Sequence, residues 1–205
     1  MDFSAISISR ALGAGGDEIA REIASRLGFR LVDEEIIVGA ADKAGVSPET
    51  IAKVERTPSL IDRIMNYMGT TQVEPGGYVP PPPDKVSPAY ESLIEQVVRE
   101  TAAQGSVVIL AHGASIPLAE QKGVLRVLIT GSPDARAARL TKSGAMSDRQ
   151  AKKAIQGSDR ERREYLRRFY GIGTEAPTHY DIVLNTDVLE PSAAAGVIAY
   201  AVTRP

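Results

Sequence analysis

With 205 residues, 43% of them hydrophobic and 24% charged, the chain can bury one sizeable core and is short for two full domains. A formal charge of -2 excludes a global pull towards nucleic acid or anionic membrane, so any anion must be met by a local basic cluster. The lack of cysteine excludes disulfides, thiolate metal sites and cysteine nucleophiles; the isolated His112 and His179 cannot form a histidine-rich metal centre, whereas carboxylate-held magnesium stays compatible with the composition.

The opening Met-Asp-Phe-Ser lacks a basic stretch followed by an apolar run. No segment holds the roughly 18 uninterrupted apolar residues of a membrane span, so a soluble, cytoplasmic protein is expected. Ile6 and Ile8 among small residues predict a strand over 3–9, and Gly13-Ala14-Gly15-Gly16 a tight turn after it. Ile19, Ala20, Ile23, Ala24 and Leu27 then recur at helical spacing, with Asp17 and Glu18 where acids favour a helix start and Gly28 at the end. A short strand over 29–32 ends at Asp33, and the acid and apolar pattern of 34–44 suits a second helix. Ser47-Pro48-Glu49 offers a capped helix start with Ile51 and Val54 beyond it.

The stretch 69–88, with Gly76-Gly77 and proline throughout 80–83, cannot supply the donors of a regular element and reads as a mobile loop. Tyr90, Leu93, Ile94, Val97 and Val98 form a helical stripe, and 106–110 is a continuous apolar run that predicts a central buried strand. A strand over 124–129, a helix over 132–143, one or two strongly charged helices over 147–169 and a last strand over 182–184 follow. This repeated βα order implies a mainly parallel sheet covered by helices on both faces.

A glycine turn between a strand and a helix presents backbone N–H groups and the positive end of the helix dipole, and both favour phosphate. The same glycines would also serve a plain turn that packs a helix closely on a sheet. The phosphate-loop pattern G-x-x-x-x-G-K-[ST] is incomplete, because Gly16, Asp17 and Glu18 stand where lysine and hydroxyl are expected. Glu18 is the candidate magnesium ligand in place of the hydroxyl, and Arg10 or an arginine of the 147–169 stretch the candidate for the missing lysine. Arg160, Arg162, Arg163, Arg167 and Arg168 form a cationic cluster suited to phosphoryl transfer, or else a solvated helix laced with acid to arginine pairs. On a helix Asp159, Arg162 and Arg163 share one face, where the acid can orient an arginine or accept a ribose hydroxyl.

Ile8-Ser9-Arg10, Gly13-Ala14-Gly15-Gly16, Ile19-Ala20 and Leu31-Val32-Asp33 resemble the opening of cytidylate-kinase-like proteins. Asp159-Arg160-Glu161-Arg162, Tyr165, Arg168-Phe169-Tyr170-Gly171 and Tyr180-Asp181-Ile182-Val183-Leu184-Asn185-Thr186-Asp187 resemble the family's lid helix and closing strand in order and spacing. The likeness spans nearly the whole chain outside roughly 57–88. It implies a three-layer α/β/α P-loop fold as one domain over 1–205, with a mainly parallel sheet, a helical acceptor-binding insertion over 34–100 and a lid over 141–175. By the same resemblance Gly13, Ala14, Gly15, Gly16, Asp17 and Glu18 hold the phosphates of ATP with Mg2+. Asp33, His112, Asp159 and Arg162 meet the acceptor, and Arg162, Arg163 and Arg10 act on the transferring group.

Where the family has a Gly-Arg-Gly-Ala-like turn, this chain reads Ala111-His112-Gly113-Ala114, so a partly charged histidine replaces an arginine. The expected function is phosphorylation of a (deoxy)nucleoside monophosphate or similar small acceptor. The alternative is a catalytically impaired protein of the same fold that binds a nucleotide or another phosphorylated ligand. Small-molecule nucleotides are the expected partners, with a homo-oligomer left open. Few stacking aromatics and no wide basic surface argue against nucleic acid.

Overall fold

The computed structural model describes residues 3–33, 35–45, 47–48, 88–110, 113–142, 144 and 146–204. Of the predicted helix start Ser47 and Pro48 are among these residues, whereas Glu49 and the helix expected beyond it lie outside them; His112 and the loop over 69–88 lie outside them too, apart from Pro88, which opens a helix. The elements in chain order are β1 (Ala5–Arg10), α1 (Gly16–Leu27), β2 (Arg30–Val32), α2 (Glu35–Ala44), α3 (Pro88–Ala103), β3 (Val107–Leu110), β4 (Val124–Thr130), α4 (Pro133–Thr141), α5 (Asp148–Tyr170), β5 (Ile182–Asn185) and α6 (Pro191–Thr203). The charged stretch expected as one or two helices is a single helix, α5. Its start is fixed by a capping box in which Ser147 Oγ accepts from the Gln150 amide and Gln150 reaches back to Ser147. Ser147→Ala is expected to lower stability by about 1 kcal/mol, read as a shift in the urea midpoint with unchanged slope.

Every ladder is parallel and the five strands run in the order β2-β3-β1-β4-β5. β1 is therefore central, and the chain leaves it first towards β2 on one side and later crosses to β4 on the other. In open α/β sheets the crevice for ligands opens where the strand order reverses, outside the carboxyl ends of the strands. Here that point is the end of β1, at Arg10 and the glycine turn.

Alternation along β1 divides the molecule into two cores. Ile6 and Ile8, with Val108, Leu110, Val127 and Ile129, pack against Ile19 and Ile23 of α1 and Ala194, Ala195 and Ile198 of α6. On the other face Ala5, Val107 and Ile109 meet α2, α3 and Phe169 of α5. The remaining residues of β1 on that second face, Ser7 and Ser9, are buried and share the hydroxyl of Ser115 at 3.0 and 3.3 Å. A polar strip thus runs down the centre of an otherwise apolar layer and ends beside the crevice, its hydroxyls satisfying one another. A third small cluster, Ala137, Ala151 and Ile155, joins α4 to α5.

Candidate active site

The turn between β1 and α1 is held by its carbonyls. The Leu12 carbonyl accepts from Arg136 Nε at 2.7 Å, the Gly13 carbonyl from Arg139 Nη1 at 3.3 Å and the Ala14 carbonyl from Thr186 Oγ1 at 2.9 Å. A trans peptide points its N–H opposite to its C=O, so this anchoring turns the Gly13 N–H away from α4 and the Gly15 N–H away from Thr186. The Ala14 N–H closes the turn on the Ala11 carbonyl at 3.0 Å. Gly16, Asp17 and Glu18 open α1, where first-turn N–H groups have no intrahelical acceptor. Gly13 admits no side chain, because a Cβ there would lie 2.7 Å from the Arg136 carbonyl oxygen.

Arg136 is the hub of this arrangement. Only 4% exposed, it donates to the loop with Nε and to both carboxylate oxygens of Asp159 with Nη1 at 3.0 Å and Nη2 at 2.6 Å. One guanidinium thereby ties the glycine turn to the middle of α5 in a planar fork that a lysine could not reproduce. Arg139 also donates to the Thr186 carbonyl, and Asp187 accepts from the Ser132 amide at 2.7 Å, which locks the end of β5 to the start of α4.

In front of the turn lies a small charged group. Arg10, at the end of β1, donates to Asp17 Oδ1 from Nε at 3.0 Å and stands 4.0 Å from Asp33 Oδ2. The acid in the first helical turn, which alone would repel phosphate, is thus neutralised by a neighbouring cation. Glu18 instead lies with Arg21, Glu22 and Ser25 along the outer face of α1.

The residues expected from sequence to act together on α5 separate in the fold. Asp159 belongs to Arg136, while Arg162 forms a two-point pair with Glu175 at 2.8 and 2.6 Å and lies 3.3 Å from the Tyr180 hydroxyl, which itself donates to Glu175. Burial pushes the Arg162 guanidinium down, but Glu175 and Tyr180 outweigh it and its pKa is raised. Burial likewise pushes Glu175 up, and Arg162 more than reverses this and holds it below the ordinary carboxylate range. Arg163 is exposed, as are Arg160 and Arg167, and at this spacing the three share one face of α5. Sequence reading missed Arg136, Arg139 and Thr186, which hold the loop without facing the crevice.

The sequence model of the cytidylate kinase-like family matches residues 5–188. The chain belongs to that family. A cytidylate kinase of Ignicoccus hospitalis is 25% identical over 194 residues, covering 94% of this chain and 95% of the relative. Among solved structures, an uncharacterised protein from Eubacterium ventriosum superposes with a TM-score of 0.68 at 15% identity, covering 98% of this chain and 99% of the other. A gluconokinase from Sinorhizobium meliloti does so with a TM-score of 0.53 at 13% identity, covering 98% and 94%. These similarities place the fold among α/β kinases with a parallel five-stranded sheet.

Proposed function

We propose that this family member is an ATP-dependent phosphotransferase that phosphorylates a (deoxy)nucleoside monophosphate or a similar small acceptor. The observation that carries the reading is the triple anchoring of the Leu12, Gly13 and Ala14 carbonyls, which presents a rigid set of N–H donors at the switch point of the sheet. A turn serving only helix packing has no need for two arginines and a threonine to fix its peptide orientation.

These residues fit the phosphates of a nucleotide: Gly13, Ala14, Gly15 and Gly16 would line the chain and the first turn of α1 would face it. Among the described residues no three acidic or histidine side chains converge as an all-protein metal cage would require. A magnesium ion would therefore rest mainly on phosphate oxygens, with Asp17 or Asp33 as the protein carboxylates in the crevice and Glu18 on the outer flank. Bound MgATP would supply the phosphoryl group and neutralise part of its charge. The chain's own part is positioning: Arg10 meets the outer phosphates, Asp33 orients the acceptor at the end of β2, and Arg163 approaches the transferring group as α5 closes over the crevice.

Calorimetric titration with ATP and CMP, with and without magnesium, paired with an assay for nucleoside diphosphate, tests this reading. ATP binding with diphosphate formation is expected, and Arg163→Ala should keep ATP affinity while lowering turnover by about tenfold or more. Binding without product from any small acceptor would favour the non-catalytic alternative, to which the lysine-free loop lends support. Arg162→Ala is expected to act first on stability, because its guanidinium serves Glu175.

A further inference from the structure

The phosphate-loop pattern can be laid on this turn with its closing glycine at Gly15 or at Gly16. Gly15 is the left-handed residue that caps α1, with φ of 79°, whereas Gly16 is already helical. The closing loop glycine is therefore Gly15. The pattern's first glycine then falls on Arg10, its lysine on Gly16 and its hydroxyl residue on Asp17. Relative to the pattern, the cation and the position without a side chain have changed places.

The geometry explains why they change together. A Cβ on Gly16 would lie 2.5 Å from Arg10 Cβ and 3.1 Å from its Cγ and Cδ. These are stem atoms next to the backbone of a central strand and cannot swing aside, so only one of the two positions can carry a side chain. Arg10 runs through the space that a lysine at position 16 would fill and delivers its charge to the first turn of α1. There Asp17 Oδ1 receives Nε at 3.0 Å and Nη2 at 2.9 Å.

We propose that Arg10 is the phosphate-binding cation of this loop, a replacement across space for the lysine of the pattern. Its ligand is the outer phosphates of a nucleoside triphosphate, and Asp17 occupies the guanidinium until they arrive. The proposal rests on the phosphotransferase reading above. Asp17 is 61% exposed in its side chain, so its hold on Arg10 is screened by water and readily exchanged for a more highly charged phosphate that accepts the same planar fork.

The test is a cycle of Arg10→Gly, Gly16→Lys and the double variant, with Arg10→Gln as a variant that keeps the stem. Each is titrated with ATP and melted. Arg10→Gly and Arg10→Gln are expected to lose about 10- to 100-fold in ATP affinity. Gly16→Lys alone should lose both affinity and melting temperature, since its stem collides with Arg10. The double variant should regain both, to within about threefold of the wild-type affinity. A wild type that binds ATP together with an Arg10→Gln variant that binds as well overturns the role of Arg10 and leaves the phosphotransferase reading standing. A double variant no better than Arg10→Gly in affinity or melting overturns the exchange in space. A wild type that binds no nucleoside triphosphate overturns the function itself.

Discussion

Asp159→Asn is expected to destabilise the fold by about 3 kcal/mol, the lower end of what breaking a buried ion pair costs. The reason lies in Arg136, whose side chain is 5% exposed and depends on Asp159 for both terminal nitrogens. Removing the carboxylate charge leaves a guanidinium in the interior with a neutral amide in place of its counter-ion. Asp159 is itself 32% exposed, so some water reaches the pair, which argues for the lower end of the range. Urea unfolding followed by circular dichroism measures this directly, since the chain has no tryptophan to report by fluorescence.

A second variant separates structure from function at the same place. Arg136→Met with Asp159→Leu removes both charges and fills similar volume, and such replacements of buried pairs are often close to neutral in stability. The double variant should recover most of what Asp159→Asn loses. It should still bind ATP poorly, because the Leu12 carbonyl has lost its donor and the peptide plane that aims the Gly13 N–H is no longer fixed. Recovery of ATP binding along with stability would show that the loop holds its shape without Arg136.

The division between what the sequence revealed and what it hid follows from the range of the interactions. Strands, helices and the glycine turn are written in local periodicity, so β1, the turn and α1 were legible from Ile6, Ile8 and the spacing of Ile19 to Leu27. The parallel sheet followed from the repetition of strand and helix. The uses of the arginines were not legible, because a charged residue on an amphipathic helix looks the same whether it meets solvent, substrate or a carbonyl 124 residues away, as Arg136 does at Leu12. No local signal marked it: Arg136 adjoins Ala137, which packs on α5, but successive helical residues point in different directions. Grouping Asp159 with Arg162 by helical spacing overlooked that each finds a partner distant in sequence, Arg136 and Glu175. The missing lysine was visible as a gap in a motif, but its replacement by Arg10 needed the packing of two backbones.

The fold should lose stability in acid chiefly through the segment that joins α5 to β5 and closes the sheet. Glu175 and Asp181 there, and Asp187 just past β5, have lowered pKa values. In Glu175 burial is outweighed by Arg162. In Asp181 burial is outweighed by Arg126, which donates from its side chain and its amide. Asp187 is lowered chiefly by the Ser132 amide. A depressed carboxylate binds fewer protons in the folded chain than in the unfolded one. Its contribution is therefore complete above the ordinary values of 4.5 for glutamate and 3.8 for aspartate, and is lost as pH falls through the lower folded values. Tyr180 sets the opposite limb, since burial pushes it up to about 12 from 10.0 and its contribution is lost as pH rises between these values. Unfolding free energies measured from pH 3 to 11 should therefore form a plateau with an acid and an alkaline limb, over a range set by ordinary and shifted side-chain values. Glu175→Gln should lower the plateau by about 2 kcal/mol, less than for a fully buried pair because both partners keep some exposure. It should also flatten the acid limb and, by removing the carboxylate that holds the Tyr180 proton, shift the alkaline one. An acid limb of unchanged steepness in Glu175→Gln would assign acid sensitivity to the other lowered carboxylates, Asp181, Asp187 and Glu100 of α3, and leave the Arg162 pair a contact of little energetic weight.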